Sequence, residues 1–103
     1  MTAIPLNRHS QSYPQTLVVG LGKTGLSCAR YLARRGVPVA VCDSRVSPPG
    51  LDDLTRELPA VPVFTGGFDD QVFAAAERIV VSPGVPVAEP HVRDAHERGV
   101  EVL

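Results

Sequence analysis

The chain is nearly devoid of lysine: of its ten basic residues nine are arginine, and Lys23 is the exception. Excess charge is absent as well. The formal net charge is −1, so no broad field exists to draw in nucleic acid or an anionic membrane surface. Long apolar runs are missing, and none approaches the ~20 residues of a membrane helix. Residues 1–15 are polar and broken by Pro5 and Pro14. They lack the apolar centre of a secretory signal and read as a flexible leader. Cysteine is scarce, and Cys28 and Cys42 form no CxxC pair and no metal-ligand spacing. Both are expected to be reduced core thiols of a cytosolic, cytoplasmic protein. His91 and His96 stand five apart, not at the i, i+4 spacing of a helical metal site, and His9 lies in the leader. With no recognisable nucleophile–base pair either, the residues predict no catalytic group and no metal ligand within this chain.

What is present is concentrated between Thr16 and Arg30. A short aliphatic run, Thr16 to Val19, meets a Gly20-x-Gly22-x-x-Gly25 turn, and a helical pattern follows at once. In such a strand–turn–helix unit the first glycine permits the tight turn. The second lets a diphosphate approach the main chain, and the third lets helix and strand pack closely. The N–H groups and positive dipole end of the helix then face the anion. Asp43 lies 23 residues beyond Gly20, at the end of a second strand-like run. That is near the spacing of an acid that meets a ribose or a base. Gly22-Lys23-Thr24 imitates the end of an ATP-binding P-loop. The glycine that a P-loop needs five residues earlier is Leu17, however, so the P-loop reading fails.

Beyond this unit, helical and strand-like segments alternate. Helices are expected at about Thr24–Arg35, Asp52–Leu58, from an Asp69 cap through Ala76, and Pro90–Arg98. Strands are expected at Thr16–Val19, Val37–Cys42, Val61–Phe64, Arg78–Val81 and Val100–Leu103. Leu26, Ala29, Leu32 and Ala33 give the first helix an apolar face, and Gly36 stops it. Parallel strands need helical crossovers, and right-handed crossovers give a doubly wound, Rossmann-like α/β fold. The expected strand order is 3-2-1-4-5, with helices on both faces of the five-stranded sheet. Residues 16–103 then form one domain, and the abrupt apolar end at Leu103 suggests a piece of a longer protein.

Ligands of such sheets bind outside the carboxyl ends of the strands at the switch point, here between the first and fourth strands. Three loops are expected to meet there. Gly20, Gly22, Lys23, Thr24 and Gly25 supply backbone, a cation and a hydroxyl. Asp43, Ser44 and Arg45 form a second edge. Ser82, Pro83 and Gly84 follow the fourth strand, where Gly84 allows a ligand near the backbone. The bland readings are a Thr24 helix cap, a solvated Lys23, a loop acid at Asp43 and a stiff Ser-Pro-Gly turn. Asp52, Asp53, Glu57, Asp69 and Asp70 read as caps and solvated faces.

Three segments together resemble the N-terminal domain of the Mur ligase family: Val19-Gly-Leu-Gly-Lys-Thr-Gly-Leu-Ser27, Cys42-Asp-Ser-Arg45 with Pro48-Pro-Gly-Leu51, and Val80-Val-Ser-Pro-Gly-Val-Pro86. The resemblance covers about residues 16–103. It implies a three-domain ligase of peptidoglycan biosynthesis whose first domain binds the UDP moiety of a muramoyl precursor, UDP-N-acetylmuramoyl-L-alanine. By the same resemblance the turn with Lys23 and Thr24 holds the diphosphate, Asp43 and Ser44 read the uracil with Arg45 beside them, and Ser82 to Gly84 close the pocket. The implied reaction is ATP- and Mg2+-dependent amide formation with D-glutamate through an acyl phosphate. The P-loop and magnesium site would lie in the missing central domain. This segment is therefore expected to bind substrate and to be catalytically silent alone.

Two other readings fit parts of the pattern. In an NAD-binding domain of an oxidoreductase or a nucleotide-sensing regulator, Asp43 would bind the adenosine ribose and disfavour a 2′-phosphate. A non-catalytic interaction domain with a vestigial glycine turn would bind no nucleotide.

Overall fold

The computed structural model describes residues 15–86 and 88–103, so the expected leader at residues 1–14 lies outside the described residues. Among the described residues nine elements alternate: β1 (Thr16–Val19), α1 (Lys23–Arg34), β2 (Val39–Asp43), α2 (Leu51–Glu57), β3 (Val63–Thr65), α3 (Asp70–Ala74), β4 (Arg78–Val81), α4 (Pro90–Glu97) and β5 (Glu101–Val102). The strands form one sheet in the order β3-β2-β1-β4-β5. Every pairing is parallel, so class and strand order are as the sequence implied.

Side-chain parity divides the core between the two faces of the sheet. Val18, Val39 and Val41 pack with Leu26, Ala29 and Leu54, under α1 and α2. Leu17, Val19, Ala40, Cys42 and Ile79 pack with Phe73, Val92 and Ala95, under α3 and α4. The central strand β1 is buried at all four positions, as expected of a parallel strand covered on both sides.

Strand boundaries moved where proline interrupts the ladder. β2 begins at Val39, not Val37, and β3 at Val63, not Val61. Pro38 and Pro62 have no N–H to donate. Their carbonyls still enter the sheet, accepting from Thr16 N–H at 3.1 Å and Val41 N–H at 2.9 Å. Val37 N–H instead closes the end of α1 on Leu32 O at 3.1 Å, past Gly36 at φ +75°. At the other end β2 runs one residue further than expected, because Asp43 pairs with Thr65. The Asp69 cap is in place, its carboxylate accepting from Gln71 N–H at 2.7 Å. Of the two cysteines Cys42 is buried, whereas Cys28, on α1, is only half-buried against the core beneath that helix.

Candidate functional site

The turn after β1 is held from three sides. Gly20 takes φ +100°, a conformation that L side chains rarely adopt, and donates its N–H to Cys42 O at 2.8 Å. A Cβ there would stand 2.9 Å from both Ser82 Cβ and Val85 Cγ2. At Gly25 a Cβ would fall 1.9 Å from Gly20 O, so the first turn of α1 rests directly on the backbone leaving β1. Leu21, between them, is fully buried. Its N–H donates to Asp43 Oδ2 at 2.7 Å and its carbonyl accepts from Gly50 N–H at 3.0 Å. The Pro48-Pro-Gly-Leu51 segment thus buttresses the glycine turn, a role that sequence reasoning missed.

Gly22 differs from its neighbours. It is the N-cap of α1, no side chain caps this helix end, and a Cβ at Gly22 would meet nothing within 4 Å. Thr24 is inside the helix and is not its cap. The leading N–H groups of α1 are left to whatever occupies the space in front of them. That space is a cavity of about 620 Å³ lined by Gly20, Gly22, Lys23, Thr24, Asp43, Ser44, Arg45, Ser82, Pro83 and Gly84. All three expected loops therefore meet. Gly25 is the one expected residue that does not line the cavity; it packs behind the turn.

Parity explains how β2 and β4 reach this site. Asp43 continues the odd-numbered face of Val39 and Val41, so its carboxylate emerges beside α1. It is 3% exposed. Oδ1 accepts from Arg45 N–H at 2.8 Å and Arg45 Nε at 2.9 Å; Oδ2 accepts from Arg45 Nη2 at 2.7 Å besides Leu21 N–H. The guanidinium, helped by the two backbone N–H groups, outweighs burial and holds the Asp43 carboxyl down at about 2. Ser82, buried after β4, donates Oγ–H to Gly20 O at 3.0 Å, and its N–H donates to Val19 O at 2.9 Å. It bolts the fourth strand to the glycine turn.

Four further residues line the cavity that the sequence did not single out: Phe68, Val85, Pro86 and Glu89. Glu89 caps α4, accepting from His91 N–H at 2.7 Å and Val92 N–H at 3.2 Å. Its charge is thereby turned towards a helix N-terminus. Phe68 stacks edge-on with Phe73 and His91, at centroid separations of 5.6 and 5.8 Å. His91 also meets Asp70 at 2.9 Å. A Glu two residues before an N-terminal His, in a segment opened by proline, was the available signal for the cap. The aromatic cluster had none, since its members come from separate elements.

The other acids behave as surface groups. Glu57 forms a two-pronged pair with Arg30 across α2 and α1, at 2.7 and 2.8 Å, and Asp53 pairs with Arg56 at 2.6 Å. Among the described residues no three His, Cys, Asp or Glu side chains gather as metal ligands, and no helix is long and apolar enough to cross a membrane. Burial, with the nearby acids Asp43 and Glu89, pushes the Cys42 thiol up to about 12, far from the range of a reactive thiolate.

A parallel 3-2-1-4-5 sheet with an uncapped helix N-terminus and a glycine turn at its switch point defines a Rossmann-like domain. Within that class, the family model described as "Mur ligase MurD-like, N-terminal domain" matches residues 14–103, and the chain belongs to that family. It is similar to the UDP-N-acetylmuramoylalanine–D-glutamate ligase of Marinobacter nauticus, 53% identical over 85% of this chain and 20% of the relative. The ligase of the same name from Methylobacillus flagellatus is 55% identical over 86% of this chain and 20% of the relative. That from Nitrosococcus oceani is 51% identical over 85% and 19%. The chain spans about a fifth of the length of the curated relatives it matches. These likenesses leave the nicotinamide reading without support.

Proposed function

We propose that this chain is the substrate-anchoring domain of a ligase that adds D-glutamate to UDP-N-acetylmuramoyl-L-alanine in peptidoglycan biosynthesis, and that it binds the UDP moiety. The observation that carries this is the uncapped N-terminus of α1, with Gly22, Lys23 and Thr24, opening onto a cavity walled by residues 43–45 and 82–84. A diphosphate suits those N–H groups, the dipole and the Lys23 ammonium together. The cavity volume is in the range that holds a ligand of nucleotide size. Asp43, Ser44 and Arg45 form the base side, and Ser82, Pro83 and Gly84 close the opposite wall. The names of the similar proteins, all D-glutamate ligases, support the choice of substrate.

ATP and Mg2+ belong to the reaction of the complete enzyme, and the described residues of this chain offer them no matching site. Leu17 lies buried in β1 where a P-loop requires glycine. The work of this domain is binding and orientation: it fixes the nucleotide end so that the alanyl carboxylate is presented elsewhere. We also read the protein as cytoplasmic.

Parallel NMR titrations with UDP, UDP-N-acetylmuramoyl-L-alanine and NAD test this reading. Both uridine ligands are expected to shift the amides of residues 22–25, 43–45 and 82–84, and NAD to leave them in place. NAD-selective shifts would sink the proposal. D-glutamate ligation by residues 1–103 alone would refute the catalytic silence.

A further inference from the structure

The two faces of the sheet are unequally covered at its β3 edge. Val61 and Val63 pack against the core under α1 and α2. Among the described residues, none of β3 joins the core under α3 and α4. Phe64 points to that second face, because it pairs with Cys42, a member of the α3–α4 core. It is nonetheless 41% exposed. Beside it runs a groove of about 340 Å³, floored by Leu17 and Ala40 and walled by Phe64 on one side and Val72 of α3 on the other. A parallel strand is normally covered on both faces, so one layer is missing here.

Gln15 lines the same groove. Its carbonyl accepts from Glu77 N–H at 2.9 Å and Arg78 N–H at 3.1 Å, and its N–H donates to Glu77 Oε1 at 3.3 Å. The chain therefore enters β1 from a fixed point in the groove wall. Residues 1–14 precede that point, and Tyr13 and Pro14 come immediately before it.

We propose that Tyr13 fills this groove, its ring laid over Ala40 between Phe64 and Val72. The inference is independent of the uridine reading. Two residues of extended chain span about 7 Å, and β2 and β3 lie about 5 and 10 Å from β1, so a tyrosine at this position reaches the groove. Pro14 biases Tyr13 towards an extended backbone, which lowers the entropy lost on docking. The ring covers apolar surface, and its pairing with the Phe64 ring adds to the gain from burial. Gln71 on the groove wall offers an amide to the phenol hydroxyl. Covering Phe64 also blunts an edge of the sheet, where bare apolar surface invites association. The leader is then anchored at its last residues and not free up to Thr16.

The test is 13C-edited NOE spectroscopy on the intact 103-residue chain. Tyr31, 57% exposed on α1, is the internal reference. NOEs are expected from the Tyr13 ring to the Ala40 methyl and the Phe64 ring, and none from Tyr31 to either. Tyr13→Ala is expected to remove the ring-current shift of the Ala40 methyl and to leave the amides of residues 22–25 in place, which separates a lost contact from a lost fold. Tyr13→Phe is expected to keep the NOEs. Random-coil shifts at Tyr13 with no NOE to the groove overturn the proposal and leave the groove to another partner. NOEs found only between differently labelled chains make a second copy the occupant and overturn it as well.

Discussion

The two sides of the glycine turn obey different rules. On the strand side, Gly20 and Gly25 are glycine because the protein leaves no room: an added Cβ would stand 2.9 Å from Ser82 and Val85, or 1.9 Å from the Gly20 carbonyl. On the cavity side, Gly22 and Gly84 have nothing within 4 Å of an added Cβ. The fold has no steric use for glycine at these two places. One motif therefore mixes glycines that packing requires with glycines that only leave the cavity open. A sequence pattern cannot separate the two kinds, but the space around each Cβ does.

That contrast predicts a graded set of outcomes. The largest effect is expected for Gly25→Ala, whose methyl would collide with backbone that cannot swing aside. A loss of about 3 kcal/mol or more is expected, read by urea denaturation, and little folded protein would remain to bind anything. Gly20→Ala combines crowding by Ser82 and Val85 with a φ of +100°; a loss of about 2 kcal/mol is expected, read in the same way. A wild-type midpoint in either variant would break the comparison.

Acid acts through Asp43, which belongs to the strand side by its bond to Leu21. Its folded pKa is about 2 against an ordinary 3.8. The depressed value means stability fully present above about pH 4 and lost as the pH falls through about 2. The shift corresponds to about 2 kcal/mol. Denaturation midpoints at pH 5 and pH 2 measure it, and Asp43→Asn is expected to flatten that part of the profile. The smallest effect on stability belongs to Gly22→Ala, about 0.5–1 kcal/mol at a helix N-cap. The same substitution is expected to weaken UDP at least about tenfold, because its methyl enters the ligand's space. Unchanged UDP affinity in that variant would remove Gly22 from the binding side.

Much of the architecture was legible beforehand. Alternating apolar runs and helical faces located all nine elements, and the right-handed crossover rule turned them into the observed strand order. The proline-led shifts at Val37 and Val61 mark where propensity misleads: both residues suit a strand, but the missing N–H of the following proline delays pairing. The three loops of the site were legible because the switch point of a doubly wound sheet is a consequence of order alone. Their partners were not. Nothing local announces that Gly50 supports Leu21, that Glu89, the cap of α4, also lines the cavity, or that Phe68, Phe73 and His91 stack.

The sequence by itself determined the class of fold and the place of the cavity, because these follow from short-range periodicity and from a glycine turn at the switch point of the sheet. Only the tertiary structure decided which glycines are crowded by packing and which face open space, and that Asp43 is already engaged by Arg45 and Leu21. The Ser82–Gly20 bond spans 62 positions and the Asp43–Leu21 bond spans 22. Contacts across such distances exist only after the crossovers have brought the strand ends together, so no local pattern in the chain can announce them.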